Sequence, residues 1–406
     1  MKILLIHKFF YKAGGAEVAV FELAKLLRQN GHQVIDFSMQ DPKNEPSAYS
    51  DYFIENINFN KREGLLKDLK KVFKLFYNLE AQKKLAALIK KEKPDLAHVH
   101  NVSFYLTPSI FFTLKKMGIP TVRTLHDFKL ICPNTLLFTQ NQVCERCKKH
   151  KYYNCYKYRC IKKDPVFSFL GMLEMYLHKI ILKSYDKIDL FIAPSKFLIA
   201  KFKEWGMDTA KFHQLYNFVD LEQLTPATQI GEGLIYFGRL SEEKGLLVLL
   251  KAMKELPDIK LKIVGQGPQL AILKEFIKDN QLANVELTGY KTGQELYDLV
   301  RASRLVVLPS TCYENNPLAL LEAFALAKPV IGSNLGGMAE LITEAKTGFL
   351  FAAGNDEELA SKIKDNYNNT QLLGQIGVNG RLFVEQNCSK KAYYQKLLEL
   401  YQKALK

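Results

Sequence analysis

The sequence predicts an α/β protein of two doubly wound parallel sheets facing a central cleft, and three observations predict it. At 406 residues the chain exceeds one ordinary core and fits two domains with a connecting element. Short apolar runs of strand length alternate with amphipathic stretches of helix length almost from end to end. These runs form two successive sets of six, with a boundary near Phe218–Gly231. A composition of 48% hydrophobic and 24% charged residues describes a soluble globular chain and excludes disordered, collagen-like and mucin-like classes.

The first set of strands is Lys2–Ile6, Gln33–Ser38, Asp95–Val99, Pro120–Leu125, Asp189–Ala193 and Phe212–Tyr216. The second is Gly233–Phe237, Lys260–Val264, Asn284–Thr288, Arg304–Leu308, Lys328–Ile331 and Phe349–Phe351. The three units expected are 1–217, carrying a cysteine-rich insertion at about 132–165, then 218–385, then a closing helix within 386–406. That helix, Ser389–Lys406, shows Tyr393, Leu397, Leu400 and Ala404 on one face.

Ligands of open parallel sheets bind beyond the carboxyl ends of the strands, and unusual residues cluster there. Gly14-Gly15-Ala16-Glu17 follows the first strand and opens a helix, where paired glycines admit a ligand to the backbone or serve a tight turn. Gly238-Arg239-Leu240 and Glu243-Lys244-Gly245 flank a strand-to-helix turn, so that Arg239 and Lys244 can clamp a diphosphate. Gly265 and Gly289, the latter followed by Tyr290, end two further strands with exposed backbone groups. The most informative stretch is Pro309–Glu322, in which Pro317 reads as the first residue of a helix. Glu314 then lies in the loop and Glu322 lies one to two turns into the helix, placing two carboxylates where sugar hydroxyls can donate to them.

These segments, with Gly-x-Gly-Pro at Gly265–Pro268 and Gly-Gly-Met-Ala-Glu at Gly336–Glu340, occur in the order and spacing of one family. Over essentially its whole length the chain resembles a retaining glycosyltransferase of family 4 with the GT-B fold. The resemblance implies that 1–217 is the acceptor side and 218–385 holds a nucleotide sugar, UDP-linked in preference to GDP- or ADP-linked. It implies Arg239 and Lys244 on the donor pyrophosphate, Glu322 on the ribose hydroxyls, and Glu314 on the transferred sugar. Backbone groups of Asn316, Pro317 and Leu318 assist, Gly15 approaches the diphosphate from the other domain, and Gly238, Gly265, Gly289 and Tyr290 line the donor pocket. His126, in Thr124-Leu125-His126-Asp127, matches the family histidine near sugar and acceptor. Retention by front-side attack and no catalytic metal or cofactor follow from the same resemblance, as does a last helix that crosses back to the first domain.

The net charge of +15 resides wholly before residue 221, where 36 basic residues face 21 acidic ones. The stretch Lys61–Lys93 alone has eleven basic and four acidic residues, with Leu65, Leu69, Val72, Phe76 and Leu79 at helical spacing. Two readings stand: a solvated lysine face, or a face held against anionic lipid at the cytoplasmic side of a membrane. Aromatics and lysines recur in Lys148–Lys163 and Val166–Lys187. The acceptor expected is accordingly a lipid-linked glycan or an envelope or exopolysaccharide chain.

Nucleic acid, which charge alone suggests, is not expected as a partner, because no basic recognition helix or aromatic RNA-binding motif occurs. A donor-binding sensor without transfer activity is the other alternative. The opening apolar run breaks at His7 and Lys8, no run reaches membrane-spanning length, and a cytosolic location is expected. There the seven cysteines are thiols or metal ligands. Cys144, Cys147, Cys155 and Cys160 have spacing compatible with a structural zinc, or with free or redox-active thiols.

Overall fold

The computed structural model describes residues 1–56, 64–227 and 229–406, with residues 65–70 described by backbone alone. All twelve predicted strands are present: β1 (Lys2–Ile6), β2 (Gln33–Phe37), β3 (Leu96–Val99), β4 (Thr121–Thr124), β7 (Leu190–Ala193) and β8 (Phe212–Gln214) in one sheet. Between them lies a small antiparallel hairpin, β5 (Phe138–Thr139) and β6 (Gln142–Val143). The second sheet holds β9 (Leu234–Phe237), β10 (Leu261–Val264), β11 (Val285–Gly289), β12 (Leu305–Leu308), β13 (Val330–Ser333) and β14 (Gly348–Phe351).

Both six-stranded sheets are parallel throughout, in the orders β2-β1-β3-β4-β7-β8 and β11-β10-β9-β12-β13-β14. Strands such as Ile3–Ile6 and Leu305–Leu308 are buried along their whole length, which is why they read as unbroken apolar runs without alternation. Each order reverses direction beside its first strand, the point at which open parallel sheets form a crevice. No described helix is long and apolar enough to cross a membrane.

The last helix, Lys390–Leu405, is capped by Ser389 Oγ, which accepts from Ala392 N–H at 3.3 Å. It lies on the first sheet, with Tyr393, Leu397 and Tyr401 packed among Ile3, Leu5 and Leu215. Leu400 and Ala404 pack against the same cluster, half-buried, so the predicted face is the inner one, and Tyr401 beside them is fully buried: its hydroxyl lies 2.6 Å from His98 Nδ1 on β3. Tyr401→Phe is expected to leave that buried imidazole nitrogen without a partner and to lower stability by about 1–3 kcal/mol, measured by urea unfolding. The two chain crossings lie side by side, with Val219 N–H donating to Cys388 O at 3.0 Å.

The basic stretch around residues 61–93 departs from the single amphipathic helix expected. Lys61 and the side chains of Leu65 and Leu69 lie outside the described residues. The rest is two helices, Leu65–Phe76 and Leu79–Glu92, broken at Tyr77-Asn78 because Asn78 Oδ1 caps the second one through Ala81 N–H at 3.0 Å. This restart changes the register: Leu75 is buried in the first helix, Ala81, Leu85 and Leu88 in the second, and Leu79, assigned to the inner face, is exposed. The cysteine-rich insertion likewise has structure that its sequence did not signal. Its hairpin turns at Gln140-Asn141, both left-handed with φ of 55° and 59°, the geometry that matches strand twist in a two-residue turn.

Candidate active site in the interdomain cleft

Every sequence-predicted site residue lies at or beyond the carboxyl end of a strand or in the helix that follows it. Gly15 opens the helix Gly15–Gln29 after β1, and a Cβ placed there would lie 3.9 Å from Leu318 Cδ1 of the other sheet's helix. The two halves therefore meet at the predicted diphosphate position. His126 follows β4, Gly238 and Arg239 follow β9, and Glu314 to Leu318 follow β12.

Lys244 ends a single turn, Glu242–Lys244, and its Nζ meets Glu314 Oε1 at 2.5 Å. Ser310 Oγ donates to the same oxygen at 2.8 Å. Burial opposes both charges, yet the carboxylate holds the Lys244 ammonium above its usual range, and Lys244 with Ser310 holds the Glu314 carboxyl below its own. At neutral pH both are ionised. Arg239 stands exposed at the strand end, with no side-chain hydrogen bond or ion pair to the described residues.

Close backbone approaches fix this arrangement. Gly265, at φ 150°, would place a Cβ 1.9 Å from Gly238 O, and Gly245, at φ 68°, one 1.9 Å from Pro309 O. Gly337 N–H donates to Glu314 O at 2.6 Å, and a Cβ on Gly337 would lie 1.7 Å from Asn315 O. Gly337→Ala must therefore displace the loop that carries Glu314. Loss of most activity is expected, with a fall in melting temperature, checked by donor turnover and calorimetry.

The helix after this loop begins at Leu318, so Pro317 is the residue before its first turn and not its first residue as predicted. Its early N–H groups face the cleft beside Glu322, the fifth residue of the helix. Glu322 is half-buried and unpaired in a cavity of about 120 Å³ shared with His126, Thr124, Asn217, Tyr297 and Leu318. Burial alone pushes its carboxyl up to about 7. Asn316 also braces the loop: its Oδ1 accepts from Asn217 N–H at 2.8 Å and its carbonyl from Asn217 Nδ2 at 3.0 Å, tying the loop to the connecting segment. Gly289 and Tyr290 lie at the end of β11, where Gly289 O accepts from Gly265 N–H at 2.8 Å and Tyr290 is exposed.

His126 is half-buried at the foot of a histidine column. Its Nε2 lies 2.8 Å from His100 Nδ1, and His100 stacks on His98 with ring centroids 4.5 Å apart. Burial brings His126 down to about 4 and His98 to about 3, and burial with its neighbours holds His100 well below its usual range, so the column is neutral at pH 7. A neutral His126 can exchange hydrogen bonds with a sugar hydroxyl and carries no charge to repel a cation.

Several contacts that sequence reasoning missed hold the halves in register. Asn315 Nδ2 donates to His126 O at 2.9 Å, and Tyr313 OH donates to Glu145 Oε1 at 2.9 Å. Glu340 accepts from Lys196 and Phe197 N–H at the start of helix Lys196–Glu204, and from Tyr216 OH. The Asn and Glu residues stood inside the recognised segments, but nothing in their spacing signals what faces them across the cleft. A second cavity, of about 390 Å³, lies where the cysteine-rich insertion meets the second domain, between Lys8, Asp127 and Cys160 on one side and Glu242 and Glu243 on the other.

The cysteines of the zinc expectation stand as free thiols in the insertion. Cys155 and Cys160 hydrogen-bond to one another, an interaction that brings the Cys160 thiol down to about 7, while burial pushes Cys147 up. Arg146 Nη1 contacts Cys144 Sγ at 3.7 Å. The thiols are neighbours, yet among the described residues no three Cys, His, Asp or Glu side chains have the arrangement of a metal-ligand set.

Comparison with known proteins agrees with this geometry. The model of the family described as Glycosyl transferases group 1 matches residues 231–383, and that described as Glycosyltransferase Family 4 matches residues 13–223. The chain is 26% identical over 399 residues to an uncharacterized glycosyltransferase of Methanocaldococcus jannaschii, covering 98% of this chain and 95% of that one. It is 26% identical to a capsular polysaccharide biosynthesis glycosyltransferase of Staphylococcus aureus, over 83% of this chain and 84% of the relative. Among solved structures, sucrose-phosphate synthase from Thermosynechococcus elongatus superposes with a TM-score of 0.74 at 19% identity, covering 99% of this chain and 98% of that one. The Anabaena protein HepE in complex with UDP gives a TM-score of 0.70 at 19% identity, covering 99% and 100%. The fold is GT-B, and the chain belongs to glycosyltransferase family 4.

Proposed function

We propose that this glycosyltransferase moves a sugar from a nucleoside diphosphate donor, UDP-linked in preference to GDP- or ADP-linked, to a glycan or lipid-linked acceptor in envelope or exopolysaccharide synthesis, with retention at the anomeric carbon. The observation that carries the reading is the convergence of Lys244, Ser310 and Glu314 at one wall of the cleft, opposite His126. The capsular relative and the UDP-bound structural neighbour support the pathway class and the base.

In this reading Lys244, Arg239 and the first N–H groups of helix Leu318–Ala325 stabilise the departing diphosphate, the task a metal ion performs elsewhere. Glu322 accepts from the ribose hydroxyls and Glu314 from the transferred sugar. The anomeric carbon–oxygen bond to phosphate breaks as the acceptor oxygen bonds on the same face, and the acceptor proton passes to the departing phosphate oxygen. Glu314, already bound to Lys244 and Ser310, is a poor nucleophile, so no glycosyl-enzyme intermediate is invoked. The enzyme works in the cytosol at the inner face of the membrane, with the basic first domain toward the acceptor.

A panel of UDP-, GDP- and ADP-sugars, scored for thermal stabilisation and slow donor hydrolysis with and without EDTA, tests the proposal. Stabilisation and hydrolysis by a UDP-sugar, indifferent to EDTA, are expected. Failure of every donor to stabilise the protein overturns it.

A further inference from the structure

We infer that the helix Pro165–Met175 and its continuation Tyr176–Ile181 form a ridge that inserts into the interfacial layer of an anionic lipid bilayer. The inner face of this segment is firmly anchored. Glu174 pairs with Lys129 at 2.6 Å, both fully buried, and His178 bridges Ser184 Oγ at 2.8 Å and Phe76 O at 2.6 Å. The absent side chain of Gly171 admits Ile161, whose Cδ1 would lie 2.3 Å from a Cβ there.

The outer face is apolar and, among the described residues, has no covering element. Val166, Phe169, Leu173, Ile180 and Ile181 are all exposed, Val166 at 63% and Ile181 at 70%. Val166, Phe169 and Leu173, three and four residues apart, share one side of the α-helix, and Ile180 and Ile181 are exposed on its π-helical continuation. Tyr156 extends the face, its ring 5.5 Å from that of Phe169, and Phe73 stands exposed on the adjoining helix that ends at Phe76. A continuous apolar strip of this kind marks an interaction surface and not ordinary exposed scatter.

Charge selects the occupant. From residue 151 to 183 there are seven basic and two acidic residues. Of the two acids, Glu174 is spent on Lys129 and Asp164 on capping Phe167 N–H at 2.9 Å. The exposed border is therefore cationic: Lys151, Lys157, Arg159, Lys162 and Lys183, with Lys163 beside them paired to Glu242 at 3.2 Å. A second copy docked here would oppose lysines to lysines, whereas anionic headgroups over an acyl layer complement both border and ridge. Lys162 and Lys163 also line the 390 Å³ cavity, so the ridge ends at the mouth of the site where a lipid-linked acceptor would enter. That last placement rests on the proposed function; the lipid contact does not.

The test is co-sedimentation with vesicles of phosphatidylcholine alone and of phosphatidylcholine with phosphatidylglycerol, at low and high salt, using the full chain and Phe169→Ser/Ile181→Ser. The wild type is expected to partition onto the anionic vesicles, less so at high salt, and the double variant to partition about tenfold more weakly or worse. The UDP-sugar thermal shift of the double variant should equal that of the wild type, which shows that it folds. Equal partitioning of the two proteins, or no wild-type binding, overturns the inference. So does a wild-type dimer that the double variant dissociates, with neither form binding vesicles. Vesicle binding without any donor-induced shift would sink the proposed function and leave the ridge standing, and the reverse pattern would do the opposite.

Discussion

Replacing Lys244 by alanine should lower kcat/KM by about 10²- to 10³-fold, the loss typical when one preorganised donor to a developing negative charge is removed. Two consequences of the substitution add. The leaving diphosphate loses a fixed cation, and the Glu314 carboxylate, with its side chain only 15% exposed, loses the ammonium that compensates its burial. Glu314 would then take up a proton more readily and donate where it should accept from the sugar. Lys244→Arg keeps the charge but not the point contact with Oε1, so it should recover donor binding better than turnover. Donor titration by calorimetry together with steady-state rates separates the two parts. Unchanged donor affinity in the alanine variant would remove Lys244 from its assigned role.

Glu322→Gln should change the pH dependence of both stability and donor binding. Burial raises the Glu322 carboxyl from 4.5 to about 7. Between those values the folded protein holds a proton that the unfolded chain has released, so this residue's contribution to stability falls as pH rises through the window. The whole shift corresponds to at most about 3 kcal/mol. Relative to the wild type, the glutamine variant should gain up to that amount at pH 8 and nothing at pH 4, read from urea midpoints across the range. Donor binding should run the other way. A ribose that donates to the carboxylate favours its ionised form, so wild-type affinity should strengthen as pH rises through 7. The variant, weaker throughout, should show no such slope. A wild-type affinity that is flat from pH 6 to pH 8 would argue against carboxylate recognition of the ribose.

The two sheets were legible because strands buried on both faces write themselves as unbroken apolar runs, and parallel connections demand helices between them. The strand ends and glycine turns located the segments that carry Lys244, Glu314 and Glu322 at one edge of the second sheet, where ligands of such sheets collect. What could not be read depends on partners distant in sequence. Nothing around Glu340 indicates that it caps a helix 143 residues earlier, and nothing around Asn315 indicates His126 O. Local competition hid the rest. Asn78 restarts a helix and turns Leu79 outward, and a hairpin of two-residue strands is too short for periodicity to show.

The placement of the closing helix has a consequence for synthesis. Tyr393, Leu397 and Tyr401 complete the core over β1 and β3, elements translated long before them. The first sheet must wait, with that patch of Ile3 and Leu5 uncovered, until the helix Lys390–Leu405 has left the ribosome. The second domain, whose strands and core are contiguous from Val219 to Cys388, can be finished before the first. A nascent chain stopped short of Lys390 should therefore expose its amino-terminal half to chaperones and proteases while its carboxyl-terminal domain is already folded.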